Sequence, residues 1–178
     1  MKFKKQKATS IFRVYLELSK LNILSLVLVA TFLGYYIGNN GVGELSRLIY
    51  TLLGTSLTAA GSGALNHYVE RNPDKYMERT KNRPLPAGLI SPLHVIIYGV
   101  FMTIGGSLLL VFKINLLTGF LSLLTAFLYV IVYTPLKRIT WLNTSVGSIP
   151  GAMPILGGWT AATGEIGNMA WILFGIMY

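Results

Sequence analysis

Asn66, Glu70 and Asp74 stand four residues apart in the stretch 66–88, NHYVERNPDKYMERTKNRPLPAG. On a helix this spacing puts an amide and two carboxylates on one face, spread over about 12 Å if the helix is straight. Pro73 disfavours helical backbone at Asn72. Asn72 is therefore expected to cap a new short helix with Pro73 in its first turn, and the bend to bring Asp74 back towards Glu70. Hard oxygen donors of this kind suit Mg2+, which takes one or two carboxylates together with substrate phosphate oxygens. Arg79, Lys81 and Arg83 suit the remaining phosphate charge, the arginines by bidentate hydrogen bonding. A second cluster at 133–138, YTPLKR, offers the Tyr133 hydroxyl and the Lys137 ammonium to the same phosphate oxygens. The plainer alternative is a solvated, salt-bridged connection whose basic residues only set topology. The regular Asn/Glu/Asp spacing at the end of an apolar segment favours chemistry.

These residues are carried by a chain of 178 residues with 53% hydrophobic and 12% charged residues. A soluble domain carries roughly twice that share of charge, and a globule this small cannot hide so much apolar surface. Its solvent is lipid. Uncharged apolar stretches run over 21–37, 48–65, 93–112, 114–133 and 146–162, each of the ~17–25 residues needed to cross a bilayer as helix. A sixth begins near Met169 and reaches Tyr178. The fold class expected is all-α: a polytopic transmembrane helical bundle of five complete spans plus a truncated sixth. Residues 1–178 read as a single transmembrane domain, the N-terminal portion of a longer one.

Thirteen of the fifteen Lys and Arg fall before the first stretch, between the second and third, or after the fourth. The first group is Lys2, Lys4, Lys5, Lys7, Arg13 and Lys20, and only Arg47 and Lys113 fall on the other side. This positive-inside split expects a cytoplasmic N-terminus and both polar clusters at the cytoplasmic face. It also accounts for the net charge of +9 with no nucleic acid as partner. The first stretch lacks the cleavage site of a signal peptide, and the Lys-rich leader is unlike a mitochondrial transit peptide, so a bacterial plasma membrane is expected. With no Cys, disulfides, thiolate metal sites and Cys nucleophiles are excluded.

Ser91-Pro92 reads as a helix start, and Pro150 and Pro154 should kink the fifth span. Small residues four apart (Gly54/Thr58, Gly147/Gly151) are expected to pack helices closely. Trp141 and Trp159 read as interface anchors, and His67 and His94 as hydrogen-bonded helix-end residues rather than haem contacts.

The pattern Asn66-x3-Glu70-x3-Asp74, followed by Met77-Glu78-Arg79-Thr80-x-x-Arg83-Pro84-Leu85, resembles the first acidic motif of the UbiA-type intramembrane prenyltransferases. Tyr133-x3-Lys137 is similar to their Tyr-x3-Lys element. The stretches YTPLKRIT at 133–140, GSIPGAMP at 147–154 and GWTAATG at 158–164 resemble the haem O synthase (protohaem IX farnesyltransferase) subgroup. The resemblance covers nearly the whole chain. Glu70 stands where the family has Asp, and the family's second Asp-containing motif belongs to a later helix than this chain contains. The resemblance implies a helical fold with a central cavity, in which Mg2+ bridges the acidic residues and the diphosphate of farnesyl diphosphate. Asn66, Glu70 and Asp74 are then the metal–diphosphate residues, and Arg79, Lys81, Arg83, Tyr133 and Lys137 bind diphosphate oxygens. The implied reaction transfers farnesyl to a vinyl group of haem B to give haem O, with the fragment alone inactive. Implied partners are farnesyl diphosphate, haem B, the bilayer, and haem A synthase or a terminal-oxidase assembly. Two alternatives stay open: prenylation of an aromatic quinone precursor, and a non-catalytic truncated membrane protein.

Overall fold

In lipid every backbone N–H and C=O must be satisfied within the protein, and helices do this segment by segment. The computed structural model describes residues 10–178 and contains, among them, only helices and their connections. Lys2, Lys4, Lys5 and Lys7 lie outside the described residues. A short helix α1 (Ile11–Leu18) leads into α2 (Leu21–Gly38), followed by α3 (Leu45–Asp74) and α4 (Pro92–Lys113). Helix α5 (Leu116–Phe127) continues as a π-helical turn (Leu128–Tyr133) into α6 (Thr134–Leu136), and α7 (Asn143–Thr163) and α8 (Asn168–Met177) complete the bundle. Four segments, Leu21–Gly38, Leu45–Asp74, Pro92–Lys113 and Leu116–Leu136, are long and apolar enough to cross a membrane, and the Asn168–Met177 helix is apolar but short. This is a multi-pass membrane protein. Helix α7 has span length but carries the polar Asn143–Ser148 end and runs unbroken through Pro150 and Pro154.

Two helix pairs frame the interior, α3 with α4 and α2 with α7, and glycine sets both contacts. A Cβ at Gly54 would come within 2.5 Å of Leu110, and one at Gly61 within 2.5 Å of the Gly99 carbonyl oxygen. At the α2–α7 crossing the clash is with backbone on both sides. A Cβ at Gly34 would lie 2.0 Å from the Ile155 carbonyl oxygen, and one at Gly158 would lie 2.0 Å from that of Thr31. No side chain can yield there, so Gly34→Ala must push the helices apart. We expect it to cost about 3 kcal/mol or more, read as a fall in melting temperature in detergent. Gly105→Ala in α4 meets nothing within 4 Å and should be neutral or slightly stabilising. A Cβ at Gly147 would lie 2.4 Å from the Tyr133 ring, whereas one at Gly151 would meet nothing within 4 Å. Gly151 thus faces a cavity rather than the helix expected from its spacing.

Two further expectations change. Helix α3 does not break at Asn72. It runs to Asp74 with Pro73 in its last turn, where the missing N–H of proline forfeits a single hydrogen bond near a helix end. Trp159 is no interface anchor. It packs against the cluster of Leu121, Met153 and Leu156, and its indole nitrogen is buried. Trp141 is 83% exposed, as an anchor should be.

The other end of the bundle is built to fix one residue. Val14 and Leu18 of α1 pack with Ala64, Leu85, Ile90 and Val95. Ser19 donates to the Tyr15 carbonyl at 2.9 Å and pairs with the Tyr98 hydroxyl at 3.0 Å. Between α1 and α2 the chain turns at Lys20, which has φ 51°, a left-handed backbone that costs a non-glycine residue roughly 1–2 kcal/mol. The turn re-aims the chain and points the Lys20 side chain at α3.

Candidate active site

The end of α3 presents Asn66, Glu70 and Asp74 on one face, as four-residue spacing requires. What brings the two acids together is the returning connection rather than a bend in the helix. Thr80, 2% exposed, donates its hydroxyl to the Asp74 carbonyl at 3.1 Å, and its own carbonyl accepts from the Arg83 N–H at 2.9 Å. Pro84 and Leu85 are buried directly behind it. The turn therefore drives Arg83 inward: its Nη1 lies 2.7 Å from Asp74 Oδ2 and 3.5 Å from Glu70 Oε2. From the opposite side Lys137 Nζ reaches Glu70 Oε1 at 2.9 Å. The same ammonium lies 4.6 Å from the centre of the Tyr133 ring, and that ring stacks on Tyr129 at 5.9 Å.

Asn66 is fully buried, with both ends of its amide engaged. Its Oδ1 accepts a short hydrogen bond from Lys20, and its Nδ2 donates to Thr134 Oγ1 at 2.8 Å. The Thr134 hydroxyl in turn donates to the Tyr129 carbonyl at 2.7 Å, closing the π-helical turn. Such turns recur at functional sites because they re-aim side chains; here the turn leaves Tyr129 and Tyr133 lining the interior. Lys20 also reaches the Tyr129 hydroxyl at 3.4 Å.

The structure thus gathers Asn66, Glu70, Asp74, Arg83, Tyr133 and Lys137. It does not bring in Arg79 or Lys81. The tight turn bonding the Thr80 and Lys81 amides to the Met77 carbonyl leaves Arg79 exposed and pairs Lys81 with Glu78 at 2.5 Å on the surface. Sequence spacing missed Lys20, Tyr129 and Thr134. Lys20 counts in the sequence only as one of several basic residues, and the signal that marks it is its left-handed backbone. Burial lowers the Lys20 pKa from 10.5 to about 8, with Glu70 opposing the shift and Arg83 and Lys137 adding to it.

Two carboxylates face three cations, Lys20, Arg83 and Lys137, leaving the cluster one positive charge in excess. Among the described residues no three of His, Cys, Asp or Glu converge on a metal position. The donor set nonetheless fits a divalent ion of the Mg2+ type, because both carboxylates converge on Arg83 and such ions take their remaining ligands from phosphate oxygens and water.

Directly inside this cluster opens a chamber of about 280 Å³, lined by Lys20, Tyr129 and Tyr133 at its polar end and by Thr31, Leu110 and Thr118 farther in. From Lys20 to Thr31 along α2 the depth is about 16 Å. An extended fifteen-carbon isoprenoid, with twelve main-chain carbons and bonds of about 1.5 Å foreshortened by their zigzag, reaches about 14 Å. The hydroxyls along the wall are satisfied locally, Thr58 on Gly54, Ser122 on Gly119 and Thr125 on Leu121, so the chamber behaves as apolar. The arrangement can hold a hydrocarbon tail whose anionic head meets the acids and cations at the mouth.

The sequence profile of the UbiA prenyltransferase family matches residues 27–178. A protoheme IX farnesyltransferase of Salinibacter ruber is 47% identical over 163 residues, covering 92% of this chain and 58% of the relative. One of Solibacter usitatus is 40% identical over 175 residues, covering 93% and 60%. The chain thus spans about three-fifths of the length of these relatives. Among solved structures, one described as digeranylgeranylglyceryl phosphate synthase superposes with a TM-score of 0.82 at 19% identity, covering 93% of this chain and 58% of that one. A UbiA homolog from Archaeoglobus fulgidus, bound to DMAPP and Mg2+, gives 0.71 at 19% identity, covering 90% and 58%. Both show the same fold.

Proposed function

Because this chain belongs to the UbiA prenyltransferase family, we propose that it transfers farnesyl from farnesyl diphosphate to a vinyl group of haem B, giving haem O. The observation that carries the reading is the pairing of site and chamber: a Glu70/Asp74 carboxylate pair held by Arg83 and Lys137 at the mouth of an apolar cavity as deep as a farnesyl chain. The names of the relatives at 40–47% identity support the acceptor. The basic residues at this end of the bundle support a cytoplasmic site in a bacterial plasma membrane.

Glu70 and Asp74 would hold Mg2+, which when bound supplies electrostatic stabilisation of the leaving diphosphate. With one such ion the cluster carries a charge of about +3, equal and opposite to a fully ionised diphosphate ester. Arg83, Lys137 and Lys20 would face the oxygens where negative charge grows as the C1–O bond breaks. Tyr133, whose ring lies 4.6 Å from the Lys137 ammonium, would donate its hydroxyl there, and Asn66, bonded to Lys20 and Thr134, would hold both in place. The electron pair of the bond leaves with diphosphate. The vinyl π-electrons form the new C–C bond, and water captures the resulting cation beside the porphyrin, losing its proton to give the hydroxyl of haem O.

The test is product analysis with the whole protein. Incubation with farnesyl diphosphate, Mg2+ and haem B should yield a porphyrin heavier by farnesyl plus hydroxyl. Prenylation of an aromatic quinone precursor in its place, with haem B untouched, would replace this reading.

Lys20 adds a pH dependence. Its charge is present below about pH 8 and is lost as pH rises through that value. Deprotonation favours the fold, because the folded pKa lies below the unfolded one, so what fails on the alkaline side is anion binding. KM for farnesyl diphosphate should rise about ten-fold between pH 7 and 9.5 in the wild type. In Lys20→Arg, which stays charged, the rise should be largely absent.

A further inference from the structure

A second cavity lies on the other side of Lys20. It is an open groove of about 610 Å³, lined among others by Arg13, Leu16, Glu17, Lys20, His67 and Arg83, within the ~300–1,000 Å³ range of small-molecule sites. Lys20 and Ile23 line both cavities and form their common wall. His67 follows Asn66 on α3 and so points about 100° away from the Asn66–Glu70–Asp74 face, into the groove and not into the chamber. His67 is 3% exposed, yet its Nδ1 has no hydrogen-bond partner among the described residues. A buried polar atom left this way is costly unless something arrives to satisfy it. Three cations against one acid, Glu17, give the groove an excess of positive charge, and Leu16 gives it an apolar wall.

We propose that this groove is the subsite for the acceptor's carboxylates. Arg13 and His67 hold a propionate of the porphyrin, and Lys20 stands between that carboxylate and the diphosphate. The inference rests on the haem reading above and adds to it the side from which the acceptor approaches. A planar carboxylate-bearing ring seated against Leu16 and the common wall has its edge next to the mouth of the chamber, where the donor's C1 lies. Arg13 suits a carboxylate through its bidentate fork. Arg13 lines the groove and not the chamber, while the ion pairs of Glu70 and Asp74 are with Arg83 and Lys137.

The experiment uses the whole protein in nanodiscs with two probes, haem B and its dimethyl ester, followed by Soret absorbance, together with KM for farnesyl diphosphate. Arg13→Gln should weaken haem B binding by about ten-fold, leave the dimethyl ester unaffected, and change KM for farnesyl diphosphate by less than about two-fold. Arg13→Lys should recover part of the loss. His67→Gln, which keeps a polar group at the wall, should also lose selectivity for haem B over the ester. Wild-type affinity for haem B in both variants, or an equal loss for farnesyl diphosphate, overturns the subsite alone. A wild-type protein that binds no haem B overturns the subsite and the haem reading together.

Discussion

Asp74→Asn is expected to lower kcat/KM of the whole protein by about 10³-fold or more, near 4 kcal/mol of transition-state stabilisation, while the protein stays inserted and folded. Asp74 is 4% exposed and bound to Arg83 at 2.7 Å. The amide keeps a hydrogen-bond acceptor for Arg83, so the turn through Thr80 and Pro84 need not move. What is lost is the negative charge that a divalent ion requires of its protein ligands. The partial precedent in the chain is Glu70, where a longer carboxylate occupies the first acid position: charge, not reach, is the common property. Glu70→Gln should behave alike but more mildly, because Lys137 loses its 2.9 Å partner and is then free to bind diphosphate. Rates within ten-fold of wild type for Asp74→Asn would remove the metal from the account.

Gly151→Phe is expected to change which donor is used. Gly151 lines the chamber and a Cβ there meets nothing within 4 Å, so the ring enters the cavity without moving a helix. A phenyl group takes up a large part of a chamber of about 280 Å³ and shortens its usable depth. Turnover with farnesyl diphosphate should fall about 100-fold, while dimethylallyl diphosphate, whose tail ends near Tyr129 and Tyr133, should be spared, a discrimination of about 2.7 kcal/mol. Competition between the two donors, with products resolved by mass, reads the switch. Equal loss for both donors would mean that the tail runs elsewhere.

Much of this was legible in the sequence. Lipid as solvent makes apolar length decisive, so the spans at 21–37, 48–65, 93–112 and 114–133 appear as α2, α3, α4 and α5 with its continuation. Ser91-Pro92 begins α4 as expected, Ser91 accepting from the His94 N–H. The acid positions were readable because helical spacing is local. The convergence of the acids was not, since it depends on Thr80 and the buried Pro84–Leu85 pair bringing Arg83 back across the sequence. The same local turn explains why Arg79 and Lys81, equally basic in the sequence, point away. Lys20 and Thr134 were invisible because their roles come from contacts with Asn66 at sequence distances of 46 and 68 residues. Asn66, expected from its spacing to be a metal–diphosphate residue, is hydrogen-bonded to both of them.

Whether Glu70 and Asp74 hold a metal-bound diphosphate at the chamber mouth is decided by calorimetry. Farnesyl thiodiphosphate, a slowly reacting analogue, would be titrated into the whole protein with and without Mg2+. Tight binding is expected only with Mg2+ present, and is expected to be lost in Asp74→Asn. Equal affinity in the absence of Mg2+, retained by Asp74→Asn, would contradict it.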